Sequence, residues 1–217
     1  MNLKLRLSIL FLFVTGVLSA QQFLPREGYF PGRLYYKNGQ VKEALVAAPK
    51  TWNQSKIFIK ANLKAKSEKI QSIYLDSISI TTNNGNTYNF EHLDWAFKKE
   101  AKPRKARWFF ATTKGYLTLY LLASAFIITK EGNAYAVIDG TIYYYLIRKK
   151  NEKVAYYFGV TGTSHAPVNS NYILKRSASM YLSEDKDLVD KINKKVLTHK
   201  NIEEIINIYN DFMSKRN

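Results

Sequence analysis

The sequence predicts an α+β fold: an antiparallel, β-rich first three quarters, built as a sandwich or roll, followed by two to three amphipathic helices at the carboxyl end. Three observations carry this. Tight-turn dipeptides Asn38-Gly39, Asn84-Gly85, Gly132-Asn133 and Asp139-Gly140 punctuate stretches rich in Tyr, Ile, Phe and Val; Asn-Gly and Asp-Gly tolerate the positive φ that two-residue hairpins demand. From about Asn171 the apolar period changes from two to roughly 3.6 residues. Composition supplies the core, because hydrophobic residues are 46% of the 217 and aromatics 14%, enough apolar surface to offset chain entropy without covalent staples.

Taken in order, residues 33–37 and 41–47 form a first hairpin around Asn38-Gly39, with residues 56–61 as a following strand. Residues 69–82 change phase: Ile73 and Leu75 share one face, whereas Ile78 and Ile80 fall on the other. A period-2 strand cannot bury both sets against one core, so a bulge or break is expected near Asp76-Ser77. Further on, Ile142, Tyr144 and Leu146 alternate with Tyr143, Tyr145 and Ile147, so both faces of that strand are apolar. Such a strand is central, between two layers or beneath the helices, and residues 154–160 are its next neighbour across the polar turn 148–153. A short helix covers residues 172–182. Leu188, Val189, Ile192 and Val196 form the stripe of another, with Ser183 as its N-cap and Glu184, Asp185 and Asp187 in its first turn, where the helix dipole favours acids. Asn201 followed by Glu204 opens the last, whose Ile202, Ile205, Ile206, Tyr209, Phe212 and Met213 keep one apolar face.

The first 20 residues read as a secretory signal peptide: basic Lys4 and Arg6, an unbroken apolar run over residues 7–18, then small Ser19 and Ala20. Cleavage is expected after Ala20, with Ser19 as the alternative; an uncleaved anchor would need about 20 apolar residues. Cleavage would leave 197 of the 217 residues, one domain or two small ones. The candidate division is a β-rich subdomain at 21–97, a basic linker or loop at 98–107, and strands followed by helices at 108–217, with a single domain over both parts as the alternative. Absence of cysteine excludes disulfides, a thiolate metal site and an acylated cysteine after the signal. The only other long apolar run, residues 115–129, is broken by Thr118 and Ser124 and is too short to span, so the mature chain is expected to have no transmembrane helix. The expected location is periplasmic or secreted, including a peripheral position on the outer membrane.

Lysine and arginine number 33 against 17 acids, and losing Lys4 and Arg6 with the signal would lower the formal charge from +16 to +14. Such a field concentrates anionic partners. For an exported chain, these are anionic envelope components, such as phosphorylated glycolipid, acidic glycan or anionic headgroups, or a protein partner, rather than nucleic acid. The sharpest local feature is the run holding Lys98, Lys99, Lys102, Arg104, Lys105 and Arg107, with Trp108 and other aromatics beside it. Cations edged by aromatics can grip such a partner by charge pairing and stacking, while a solvated linker flanked by core aromatics is the competing reading.

Catalytic signatures are sparse. His92, His165 and His199 are isolated, with no second ligand at metal spacing. Ser164-His165, with Asp139, lacks a nucleophile elbow, although a secreted hydrolase with a loop site near His165 stands as the alternative function. No cofactor or metal is expected.

The Ala20-Gln21 junction, the Leu34-Tyr35-Tyr36-Lys37-Asn38-Gly39-Gln40-Val41 hairpin, the Gly115-Tyr116-Leu117-Thr118-Leu119-Tyr120 strand and the terminal helix ending Ile208-Tyr209-Asn210 follow one another along most of the mature chain. In this order the chain resembles a group of exported, β-rich proteins of Bacteroidetes bacteria. The resemblance implies export and a strand-then-helix layout, and carries no activity. The resulting expectation is an exported envelope-associated protein that acts by binding rather than catalysis.

Overall fold

The computed structural model describes residues 28–122, 125–129, 132–137, 142–162 and 169–216. Its strands are β1 (Tyr29–Tyr36), β2 (Val41–Ala47), β3 (Lys56–Lys60), β4 (Glu68–Gln71), β5 (Leu75–Thr81), β6 (Thr87–Ala96), β7 (Arg104–Thr113), β8 (Leu117–Leu122), β9 (Ala125–Ile128), β10 (Ala134–Val137), β11 (Ile142–Lys149) and β12 (Val154–Gly162). Three helices follow: α1 (Ser170–Tyr181), α2 (Lys186–Asn193) and α3 (Ile202–Ser214). The α+β class, β-rich first and helical last, is therefore what the chain adopts.

Ten strands form one sheet in the order β12-β11-β8-β7-β6-β5-β1-β2-β3-β4, and β12 returns to pair with β6. That return closes β6, β7, β8, β11 and β12 into a ring. Each neighbouring pair in this five-stranded circuit is antiparallel, so the odd count makes its first and last strands run the same way. The closing ladder is accordingly parallel, and short: Val154, Ala155 and Tyr156 face Asp94, Trp95 and Ala96. Trp95, Phe109, Tyr120, Leu146 and Ala155, one residue from each strand, pack together and fill the ring.

Because side chains alternate along a strand, each ring strand must also bury or expose its outer face. On β6 and β7 that face carries Phe90 and Trp108, which join Leu34, Val46, Ile57, Leu75 and Ile78 in the core of the amino-terminal strands. On β8, β11 and β12 it carries Leu117, Leu119, Ile147 and Phe158, covered by Leu174, Leu188, Ile192, Ile205, Ile206 and Tyr209 of the helices. This is why β11 is apolar on both sides: Leu146 fills the ring while Ile147 meets the helices. The β9–β10 hairpin sits on the first core through Phe126, edge-on to Phe90 with ring centres 5.2 Å apart.

The expected phase change is present in two steps. A 3-10 turn at Ser72–Tyr74 breaks the strand, leaving Ile73 63% exposed rather than beside Leu75. Then Tyr35 faces Ser77 while Tyr36 faces Leu75, so Asp76 is the extra residue of a bulge.

Three expectations are corrected. Arg104 to Arg107 are not linker but the start of β7, and residues 97–103 are the turn of the β6–β7 hairpin. The first-turn cap of α2 is Asp185, which accepts from the Leu188 amide at 3.0 Å, and not Ser183. Val196 lies beyond α2 and is 68% exposed. The Asp139-Gly140 turn and residues 1–20 lie outside the described residues.

Candidate functional site

The basic residues singled out in the sequence surround the β6–β7 turn, but they do not act as one set. Trp95 and Arg104 are cross-strand partners. Directly opposed side chains on one face touch, so the Arg104 guanidinium lies over the Trp95 ring at 5.0 Å and over Phe97 at 4.6 Å. From Trp95 the aromatic contacts run outward: Trp95 to Phe97 at 5.2 Å, Phe97 to Tyr157 at 6.1 Å, and Tyr157 to Tyr144 at 6.2 Å. Phe97 is 53% exposed at the turn.

Lys98, Lys102 and Lys105 are exposed, and among the described residues none of them makes an ion pair. Lys99 is engaged elsewhere, bonded to Glu152 at 3.1 Å and lying over the Tyr181 ring at 5.3 Å. Arg107 is half-buried and lies over Trp52 at 5.2 Å. Trp108 is not a surface residue at all. It is fully buried in the amino-terminal core, where its indole N–H donates to the Gln54 carbonyl at 3.1 Å and the Ser72 hydroxyl at 3.0 Å. The Ser72 hydroxyl itself donates to the Gln54 carbonyl at 2.8 Å, and alternation along β7 points Trp108 inward to join this pair.

Between this turn, β12 and α1 runs a groove of about 510 Å³. Phe97, Tyr157, Ile173, Met180 and Tyr181 make its walls, and Tyr172, 65% exposed, stands at its edge. Among the described residues, Lys98 and Arg176 are its only charged lining residues. The helix supplies its share because α1 has two working faces. Leu174, Ala178 and Tyr181 are buried against the ring, while Ile173, Arg176, Ser177 and Met180, spaced by three and four residues, face the groove. Among the described residues the buried Tyr181 hydroxyl has no hydrogen-bond partner, and burial, reinforced by Tyr156, Glu152 and Glu100, raises its pKa, so it remains protonated. Burial, with Tyr144, likewise pushes Tyr157 up to about 12.

A second cavity, of about 700 Å³, opens where β6 changes partner. Pairing with β5 stops at Glu91 and pairing with β12 begins at Asp94, so His92 and Leu93 lack a strand on that side. Behind the gap Glu91 accepts from the Tyr120 hydroxyl at 2.8 Å and from Arg148, while the Arg148 Nε donates to the Tyr120 oxygen at 3.0 Å. Lys114 approaches Glu91 at 3.8 Å. Burial and the Glu91 charge raise the Tyr120 pKa. These groups satisfy one another and bind the ring internally.

Among the described residues no three His, Asp or Glu side chains are placed to hold a metal. His92 packs on Trp108 with ring centres 5.0 Å apart, and His199 Nδ1 meets Asn171 at 2.9 Å. Ser164, His165 and Asp139 lie outside the described residues. No described helix is long and apolar enough to cross a membrane.

Sequence reasoning located Lys98 and Arg104 but missed Tyr157, Tyr172, Arg176 and Met180, which reach the groove from a strand and a helix far along the chain. The one signal available was the spacing of residues 173, 176 and 180 on a helix whose opposite face is apolar. No family model, curated protein or solved structure matches this chain.

Proposed function

We propose that the protein is an exported, envelope-associated binding protein that meets an anionic envelope component through the β6–β7 turn. One observation carries the reading: Lys98, Lys102 and Lys105 stand exposed beside exposed Phe97, without acidic partners among the described residues, on a chain of formal charge +16. Unpaired cations next to aromatic surface gain both charge attraction and stacking or partial insertion from an anionic glycolipid or headgroup. Lys99 in the same turn is instead paired with Glu152.

Retention on vesicles containing anionic lipid, measured against salt, tests it. Strong retention at low ionic strength that fades as the screening length shrinks to about 10 Å near 0.1 M is expected. Retention indifferent to salt, or none at low salt, rejects the reading. Charge reversal at Lys98, Lys102 and Lys105 should weaken retention more than reversal at Lys191, Lys194 and Lys195 on α2 and just beyond it, where Lys194 is already paired with Asp190 at 2.6 Å.

A further inference from the structure

We infer that the groove between the β6–β7 turn and α1 binds a single-chain amphiphile with a phosphate head, the head held by Lys98 and Arg176 and the hydrocarbon chain lying over Phe97, Tyr157, Ile173 and Met180. This rests on the reading that the turn faces anions and goes further by naming the chemistry of one bound molecule.

The groove's shape and lining argue for it. Its volume of about 510 Å³ falls in the range of small-molecule sites, roughly 300 to 1,000 Å³. Its walls are apolar and aromatic, and they lie open in a chain that buries its other large apolar clusters thoroughly. Charge at the mouth is of one sign, because Lys98 and Arg176 line it, no acid does, and among the described residues neither makes an ion pair. Two unpaired cations suit a head carrying close to two negative charges, as a phosphate monoester does, better than a carboxylate with one. Arg176 can also take two phosphate oxygens at once through its planar fork.

Calorimetric titration of the protein with dodecyl phosphate below its micellar concentration tests the inference, with octyl phosphate, inorganic phosphate, laurate and dodecyl maltoside as comparison probes. Dodecyl phosphate should bind at least ten-fold more tightly than inorganic phosphate, since each buried methylene contributes roughly four-fold. Octyl phosphate should fall between them. Equal binding of dodecyl and inorganic phosphate overturns the chain site; dodecyl maltoside or laurate binding as tightly as dodecyl phosphate overturns the phosphate head. Ser177→Trp and Ile173→Trp each fill the groove from α1. At least one of these, with thermal midpoint unchanged, should reduce dodecyl phosphate affinity ten-fold while leaving salt-sensitive retention on anionic vesicles intact. Vesicle retention without preference for dodecyl phosphate defeats this inference alone, and failure of both defeats the preceding reading with it.

Discussion

Burial holds the His92 imidazole neutral far into the acid range, its pKa pulled down to about 4, with Lys37 and Arg107 adding to the depression and Asp94 and the Leu75 carbonyl opposing it. In the unfolded chain the same group titrates near 6.5. Above that pH neither state binds the proton and His92 costs nothing. As pH falls from 6.5 towards 4 only the unfolded state takes it up, so folding stability drops across this window by on the order of 3 kcal/mol and levels off below it. Urea unfolding at a series of pH values should show this loss in the parent chain, and His92→Phe should flatten it. An unchanged slope in the variant would assign the loss to other groups. At Glu91 the energetics have the opposite character, because the charge is kept and paired: its side chain is 10% exposed, and that of Arg148 20%. Arg148→Met leaves Glu91 with only Tyr120 and the distant Lys114, and should cost about 3 kcal/mol or more in urea denaturation, the penalty of stranding a buried charge. Neither role was legible beforehand. His92 and Glu91 sit in a run of mixed polarity, and only the alternation of β6 between two cores sends one into the amino-terminal cluster and the other into the ring.

Strand starts and helix seats are settled one level higher, by backbone groups seeking partners. Asn210 of α3 receives the Leu117 N–H at 2.7 Å and donates to the Leu117 carbonyl at 2.9 Å, so a helix side chain does for β8 what a neighbouring strand residue would do. Leu117 is fully buried. Asn210→Ala therefore orphans two backbone groups and should lower stability by about 2 kcal/mol, measured as a shift in the thermal midpoint. Asn210→Asp, which sets a carboxylate oxygen against the Leu117 carbonyl oxygen, should lose no less. Gly32 in β1 gives a second test. A Cβ there would run into the Ser79 carbonyl of the adjacent strand, so Gly32→Ala should cost roughly 1–3 kcal/mol by forcing β1 and β5 apart. At this scale much could be read from the chain. Gly39 with φ of 85° and Gly85 with φ of 82° turn where Asn38-Gly39 and Asn84-Gly85 were expected to, and Ile202, Ile205, Ile206, Tyr209 and Met213 are all buried on α3. What misled was competition between neighbours: Asp185, two residues after Ser183, reaches the free amide of Leu188, and the chain leaves the helix before Val196 can join its stripe.

Across the whole molecule β6 and β7 belong to two cores at once, Phe90 and Trp108 facing one and Trp95 and Phe109 the other. Unfolding the amino-terminal strands would thus strip one wall from the ring that seats the helices. A single cooperative transition is expected, with tryptophan fluorescence, which includes Trp108 of the first core, and helical circular dichroism giving coincident midpoints in urea; separated midpoints would show that the two ends come apart independently. The same sharing explains why a basic stretch looked like a linker. Arg104 and Arg107 are charged as a linker is, but opposite them stand Trp95 and Trp52, whose ring faces accept guanidinium groups at the end of a strand pair. By itself the sequence determined what depends on near neighbours: the turns at Asn38-Gly39, Asn84-Gly85 and Gly132-Asn133, the periods of the strands and helices, the two-faced burial of β11, the bulge beside Asp76, and hence the α+β class. Those follow from φ preferences and side-chain spacing within a few residues. Only the tertiary structure decided that β12 returns to β6, that the sheet splits at His92, that Trp108 turns inward, and that Phe97, Tyr157 and Arg176 meet around one groove. These depend on pairings between segments far apart in the chain, chosen by which faces can be buried together, and no local pattern records that choice.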